Sequence, residues 1–133
     1  MKNFKLEKYW AKYEFDPILE MMGTSDLQGW DMKDILKMAN PTHQKLWDNL
    51  NLGYAEVRGH PLLQKEILKT YEKPQEILVT SGAKEALYAT LKGMLNPSDH
   101  VIVMSSCYQS HFEIPSSIGC QVSEWHLKMN ENW

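Results

Sequence analysis

"ILVTSGAKEALYATLKGML", from Ile77 to Leu95, decides how the rest of the chain is read. It opens inside an apolar strand pattern, Glu76–Thr80. A small-residue turn of Ser81, Gly82 and Ala83 follows. The remainder is an amphipathic helix with Ala83, Ala86, Leu87, Leu91, Met94 and Leu95 on one side. Two readings fit such a turn. In one, an anion sits at the helix start, where the first N–H groups lack internal partners and the dipole is positive. In the other, this is a plain strand-to-helix turn with Ser81 as the helix cap. Taken alone, the stretch favours the second, because many α/β proteins have such turns.

Downstream, "NPSD" (Asn96–Asp99) has turn chemistry, and His100–Met104 reads as a second buried strand. Ser105–Gly119 is a polar loop with a helical piece, and Cys120–Leu127 reads as a third strand. Upstream, Pro61 opens a helix whose face is Leu62, Leu63, Ile67, Leu68 and Tyr71, and Pro74 stops it. Asp31 caps an earlier helix striped by Met32, Ile35, Leu36 and Ala39, which Pro41 ends. Residues 42–52 have helical spacing in part, and residues 15–30 read as loop. The alternation of helices and strands argues for an α/β fold with a parallel sheet. Such a sheet needs helices on both faces, and three strands are few for that. The chain is therefore expected to be a piece of something larger.

Residues 2–14 form an arm carrying Phe4, Tyr9, Trp10 and Tyr13 among lysines. An aromatic arm needs a surface to cover it. Either a partner or the arm's own domain supplies that surface.

The 133 residues suffice for one core, and their 43% hydrophobic and 23% charged content is that of a soluble globular protein. A net charge of −3 with no basic run argues against nucleic-acid binding. No segment reads as a membrane span or a signal peptide. Cys107 and Cys120 make no disulfide framework, which points to a reducing, cytoplasmic location. Thirteen lysines stand against one arginine, Arg58, so only one guanidinium fork is on offer.

Dinucleotide and Walker loops are absent, and the five histidines show no zinc spacing. Cys107 and His111 lie four apart, but proximity in sequence is weak support for a nucleophile pair.

The order of parts carries more. "GYAEVRGHPLLQKEI" precedes "ILVTSGAKEALYATLKGMLNPSDHVIV", and "CYQSH" follows. From about Ser25 through Trp125 the chain resembles the pyridoxal-phosphate-dependent aminotransferases of fold type I (class I/II). The resemblance implies an α/β fold: the N-terminal portion of the aspartate aminotransferase-like fold, with an incomplete large-domain sheet. Residues 1–40 would be the arm and a small-domain or linker segment, and residues 41–133 the start of the cofactor-binding large domain. In that fold the first two strands of the large sheet are not neighbours, so Glu76–Thr80 and His100–Met104 would leave a gap.

The implied cofactor is pyridoxal 5'-phosphate. Its phosphate would be held by Ser81, Gly82 and Ala83, with Lys84 at the rim. Tyr108 would stack on the pyridine ring, and His111 falls where some members have a histidine behind the cofactor. Tyr54 matches a tyrosine that reaches the phosphate of the neighbouring subunit, which implies a homodimer. Ser25 and Asp26 lie near a loop that contacts the substrate carboxylate. Each has a plainer reading: a helix cap for Ser81, core or turn tyrosines, a structural histidine.

None of the thirteen lysines sits in the context of the family's Schiff-base lysine, and Arg58 does not match its carboxylate clamp. The expected function is that of an N-terminal aminotransferase fragment, from a parent moving amino groups between amino acids and 2-oxo acids, and inactive alone. The alternative is a non-catalytic remnant or small interaction module. No metal, nucleic-acid or membrane partner is expected.

Overall fold

The computed structural model describes residues 3–16, 18, 27–73 and 76–131. Ser25 and Asp26 lie outside the described residues.

Six helices and two strands occur among them. In chain order they are α1 (Lys5–Trp10), α2 (Met32–Lys37), α3 (Pro41–Asp48), α4 (Pro61–Leu68), α5 (Ala83–Met94), β1 (His100–Ser105), α6 (Ser110–Ile118) and β2 (Gln121–His126). A 3-10 turn, Met129–Glu131, follows.

β1 and β2 run parallel, in register from His100 opposite Gln121 to Ser105 opposite His126. Parallel neighbours cannot be joined by a tight turn, so the chain returns through α6. That helix packs on α5, β1 and β2 and forms the centre of the fold. Val103, Ile114 and Pro115 are buried there. Along β1, Val103 faces inward while Ile102 and Met104 face out, the alternation that a strand covered on one side requires.

One boundary and one cap differ from the sequence reading. Pro41 does not end a helix but starts one: it is the first residue of α3, and the Asn40 side chain accepts a hydrogen bond from His43 N–H at 2.9 Å. Proline suits that position because its missing N–H would have had no helical partner. Asp31 precedes α2 without a side-chain cap bond and instead pairs with Lys33 at 2.9 Å.

The stretch 76–80 is a further correction. It belongs to no ladder, so among the described residues the sheet has two strands rather than three. The residues around α4 hold it in place. Val79 N–H donates to Arg58 O at 3.1 Å. The Gln64 amide donates to Arg58 O at 2.7 Å and to Ile77 O at 3.1 Å. The Arg58 guanidinium reaches Glu76 at 2.7 Å.

Gly59 makes this docking close. Its φ is +96°, and a Cβ there would stand 2.4 Å from Val79 Cγ2. Gly59→Ala adds both a left-handed strain and a clash, and is expected to destabilise the chain by roughly 1–3 kcal/mol. Urea unfolding of the two proteins measures the difference; equal midpoints would show that Val79 does not dock on Gly59.

Candidate functional site

Helix α5 begins at a turn made for close approach. Gly82 is its N-cap residue, at φ 84° and ψ 168°, and no side chain caps the helix. The reading of Ser81 as cap is thereby corrected. The backbone must turn through a positive φ just before the helix, and glycine adopts that at no steric cost. A Cβ on Gly82 would meet nothing within 4 Å, so the space beside it is open. Thr80 steadies the turn by donating its hydroxyl to Gly82 O at 3.0 Å. Ser81 N–H donates to the Glu85 carboxylate, which folds back from the first turn of α5.

Lys84 stands in that first turn, with its ammonium 5.2 Å from the centre of the Tyr108 ring. Tyr108 lies between the end of β1 and the start of α6, so the β1–α6–β2 unit carries it to α5. His111 sits one turn further on, its Nδ1 3.0 Å from Tyr108 O. The structure thus brings the turn of Ser81, Gly82 and Ala83, with Lys84, to Tyr108, and His111 adjoins them through the Tyr108 carbonyl. Tyr54 is fully exposed.

Two residues absent from the sequence expectation complete the cluster. The Glu7 carboxylate, on α1, accepts from both the Lys84 ammonium and the Tyr108 hydroxyl. The Phe4 ring lies 5.0 Å from that of Tyr108, tilted by 52°, and Lys84 Nζ is 5.4 Å from its centre. Gln109 fastens the same arm: its amide oxygen accepts from Lys5 N–H at 2.9 Å, and its amide nitrogen donates to Asn3 O at 3.0 Å. The arm therefore covers its own chain. The only sequence signal was its need for a cover.

The charges reinforce one another. The Lys84 hydrogen bond, then that of Tyr108, holds the Glu7 carboxyl below its ordinary value of 4.5. Glu7, then Tyr108, raises Lys84 above 10.5. Burial, then the bond to Glu7, raises the Tyr108 phenol. Burial also raises the Cys107 thiol, so it is no poised nucleophile.

Elsewhere, an apolar cavity of about 500 Å³ lies among α2, α3 and α4, lined by Leu36, Leu46, Trp47 and Leu62 with His43 and His60. It shares no residue with the α5 turn. Among the described residues no cluster of potential metal ligands occurs, and no helix is long and apolar enough to cross a membrane.

The profile of the family "Aminotransferase class I and II" matches residues 22–133. The chain belongs to this family. Arginine–pyruvate transaminase AruH of Pseudomonas aeruginosa is 32% identical over 79 residues, which are 54% of this chain and 20% of that protein. An aspartate aminotransferase of Sulfurisphaera tokodaii is 31% identical over 86 residues, 60% of this chain and 22% of its own. Among solved structures, a PLP-dependent aminotransferase from Streptococcus suis superposes with a TM-score of 0.84 at 26% identity, covering 99% of this chain and 36% of that one. The chain thus spans about a fifth of the curated relatives it matches and about a third of this structural neighbour. Its α/β architecture is the corresponding part of the aminotransferase fold.

Docking of the arm is expected to depend on pH at both ends. The lowered Glu7 pKa makes its contribution complete above 4.5 and lost as pH falls through that value and below. The raised Lys84 pKa makes its contribution complete below 10.5 and lost as pH rises beyond it. Amide resonances of residues 4–10 followed by NMR should hold steady between these limits and shift outside both. A single transition near neutrality would contradict the assignment.

Proposed function

We propose that this chain supplies the phosphate and ring-stacking half of a pyridoxal 5'-phosphate pocket in an aminotransferase acting on amino acids and 2-oxo acids. The observation that carries the reading is the meeting of three things: the uncapped α5 turn, the Lys84 ammonium and the Tyr108 ring. They suit a flat aromatic phosphate ester. The open space beside Gly82 admits a bulky anion, and the first N–H groups of the twelve-residue α5 point along the positive end of its dipole. Lys84 adds a mobile ammonium, and Tyr108 a face for the ring. When bound, such a cofactor acts as an electron sink for chemistry at the amino-acid α-carbon.

In this reading Ser81, Gly82 and Ala83 bind the phosphate and Tyr108 fixes the plane of the ring. His111 is a positioning residue that acts through the Tyr108 backbone, and Ser25 and Asp26 belong to the segment assigned to the substrate carboxylate. The full exposure of Tyr54 suits a residue that reaches a neighbouring subunit, so the working unit is a homodimer. Lys84 is committed to the anion, which leaves no lysine in place as a covalent anchor. Turnover by these 133 residues alone is therefore not expected. Residues 1–40 serve as arm and linker, and 41–133 as the start of the cofactor domain. Two free thiols suit the cytoplasm.

The test is a titration of the chain with pyridoxal 5'-phosphate, read by its absorbance and by quenching of tryptophan emission. Tyr108→Ala should weaken binding by roughly threefold to tenfold, the range expected for one lost ring contact. Lys84→Met should weaken binding of the phosphate ester without weakening that of pyridoxal, which lacks the phosphate. Equal affinities for all three proteins would refute this site and favour the second reading, a non-catalytic association module. The exposed Ile102, Met104 and Trp125 on the sheet are what speak for that reading.

A further inference from the structure

The α5 site already holds an anion and a ring, and both come from the chain itself. The Glu7 carboxylate accepts from the Lys84 ammonium and the Tyr108 hydroxyl. The Phe4 ring covers Tyr108 at 5.0 Å. Phe4 and Glu7 are three residues apart at the start of α1, so one helical turn presents ring and carboxylate together. We propose that residues 3–10 form a self-plug that any phosphate-bearing aromatic ligand must displace from Lys84 and Tyr108. The inference rests on the site proposed above.

The arm is built for release. Helix α1 has six residues, no side-chain cap and no buried residue. A helix this short has little stability of its own. It is held at its tip, by Glu7, Phe4 and the Gln109 amide bonds to Asn3 and Lys5. The Glu7 pair is half-exposed, with side chains 64% and 47% accessible, and exposed ion pairs are weak. A phosphate dianion offers Lys84 more charge than a carboxylate does, and adds contacts to the helix start that Glu7 does not make. The plug therefore sets a threshold rather than a block. Apparent affinity falls by the fraction of molecules in which the arm is closed.

Two variants and two probes test this. Glu7→Gln removes the carboxylate, and Phe4→Ser removes the ring cover. Binding of pyridoxal 5'-phosphate is measured by titration, and arm opening by hydrogen exchange at the amides of residues 5–10. The ligand should deprotect those amides in the wild type. Each variant should deprotect them without ligand and bind at least roughly threefold more tightly. Measurable binding by the variants where the wild type binds too weakly to saturate would also support the plug. If all three proteins bind equally and the arm stays protected, the plug is wrong while the cofactor site stands. If none binds, the site fails and the plug falls with it.

Discussion

The parallel pairing of β1 with β2 is the constraint on which the other features depend. Two parallel strands need a crossover, and α6 supplies it between Ser105 and Gln121. The crossover must leave the carboxyl end of β1 and climb over the sheet, so its first residues stand at that end. Tyr108 and Gln109 are among them. Because α6 also packs on α5, the start of α5 and the exit of β1 arrive at one place. Ligands of open α/β sheets bind outside the carboxyl ends of the strands for this reason. Ring, ammonium and helix start are therefore consequences of a ladder six residues long.

The ladder also explains what is left uncovered. One face of the sheet lies under α6, with Val103 and Ile114 buried. The other exposes Ile102, Met104 and Trp125, and Met104 and Trp125 face each other in register. Parallel sheets are covered on both faces in stable folds, so this face is a surface that association would bury. Residues 76–80 belong to the same account. They have strand-like sequence but pair with the Gln64 side chain of α4 and the Arg58 carbonyl in place of a strand.

Local chemistry was legible in the sequence where it determines structure locally. The α5 stripe, the apolar run of β1, Pro61 at the start of α4 and the helical piece inside 105–119 all follow from periodicity and turn residues. Residues 76–80 were misread because strand propensity describes a residue's preference, whereas a ladder needs a neighbour that propensity does not report. The cap at α5 was placed one residue early, since hydroxyl preference pointed to Ser81 while the positive φ required glycine at 82. Local pattern placed the α5 turn with Lys84 beside it, but the resemblance to the aminotransferases, not periodicity, joined Tyr108 to that turn. Glu7 was not legible. It meets Lys84 across 77 residues and Tyr108 across 101, and no local pattern encodes a contact of that span.

The placement of carboxylates around α5 obeys one electrostatic rule. A helix start and an ammonium together make a strongly positive locus, and a folded chain does not leave such a locus without counter-charge when acids are within reach. Glu85 answers from within the first turn, through Ser81 N–H, and Glu7 answers from the arm, through Lys84. They differ in what they cost to move. Glu85 needs only a rotation of its side chain, because it is anchored on the helix it serves. Glu7 reaches Lys84 from a separate helix, and that same helix start places Phe4 on the Tyr108 ring. The counter-charge on the ammonium and the cover on the aromatic face therefore come from one element. The same geometry that neutralises the ammonium also covers the aromatic ring, so one short helix accounts for both contacts.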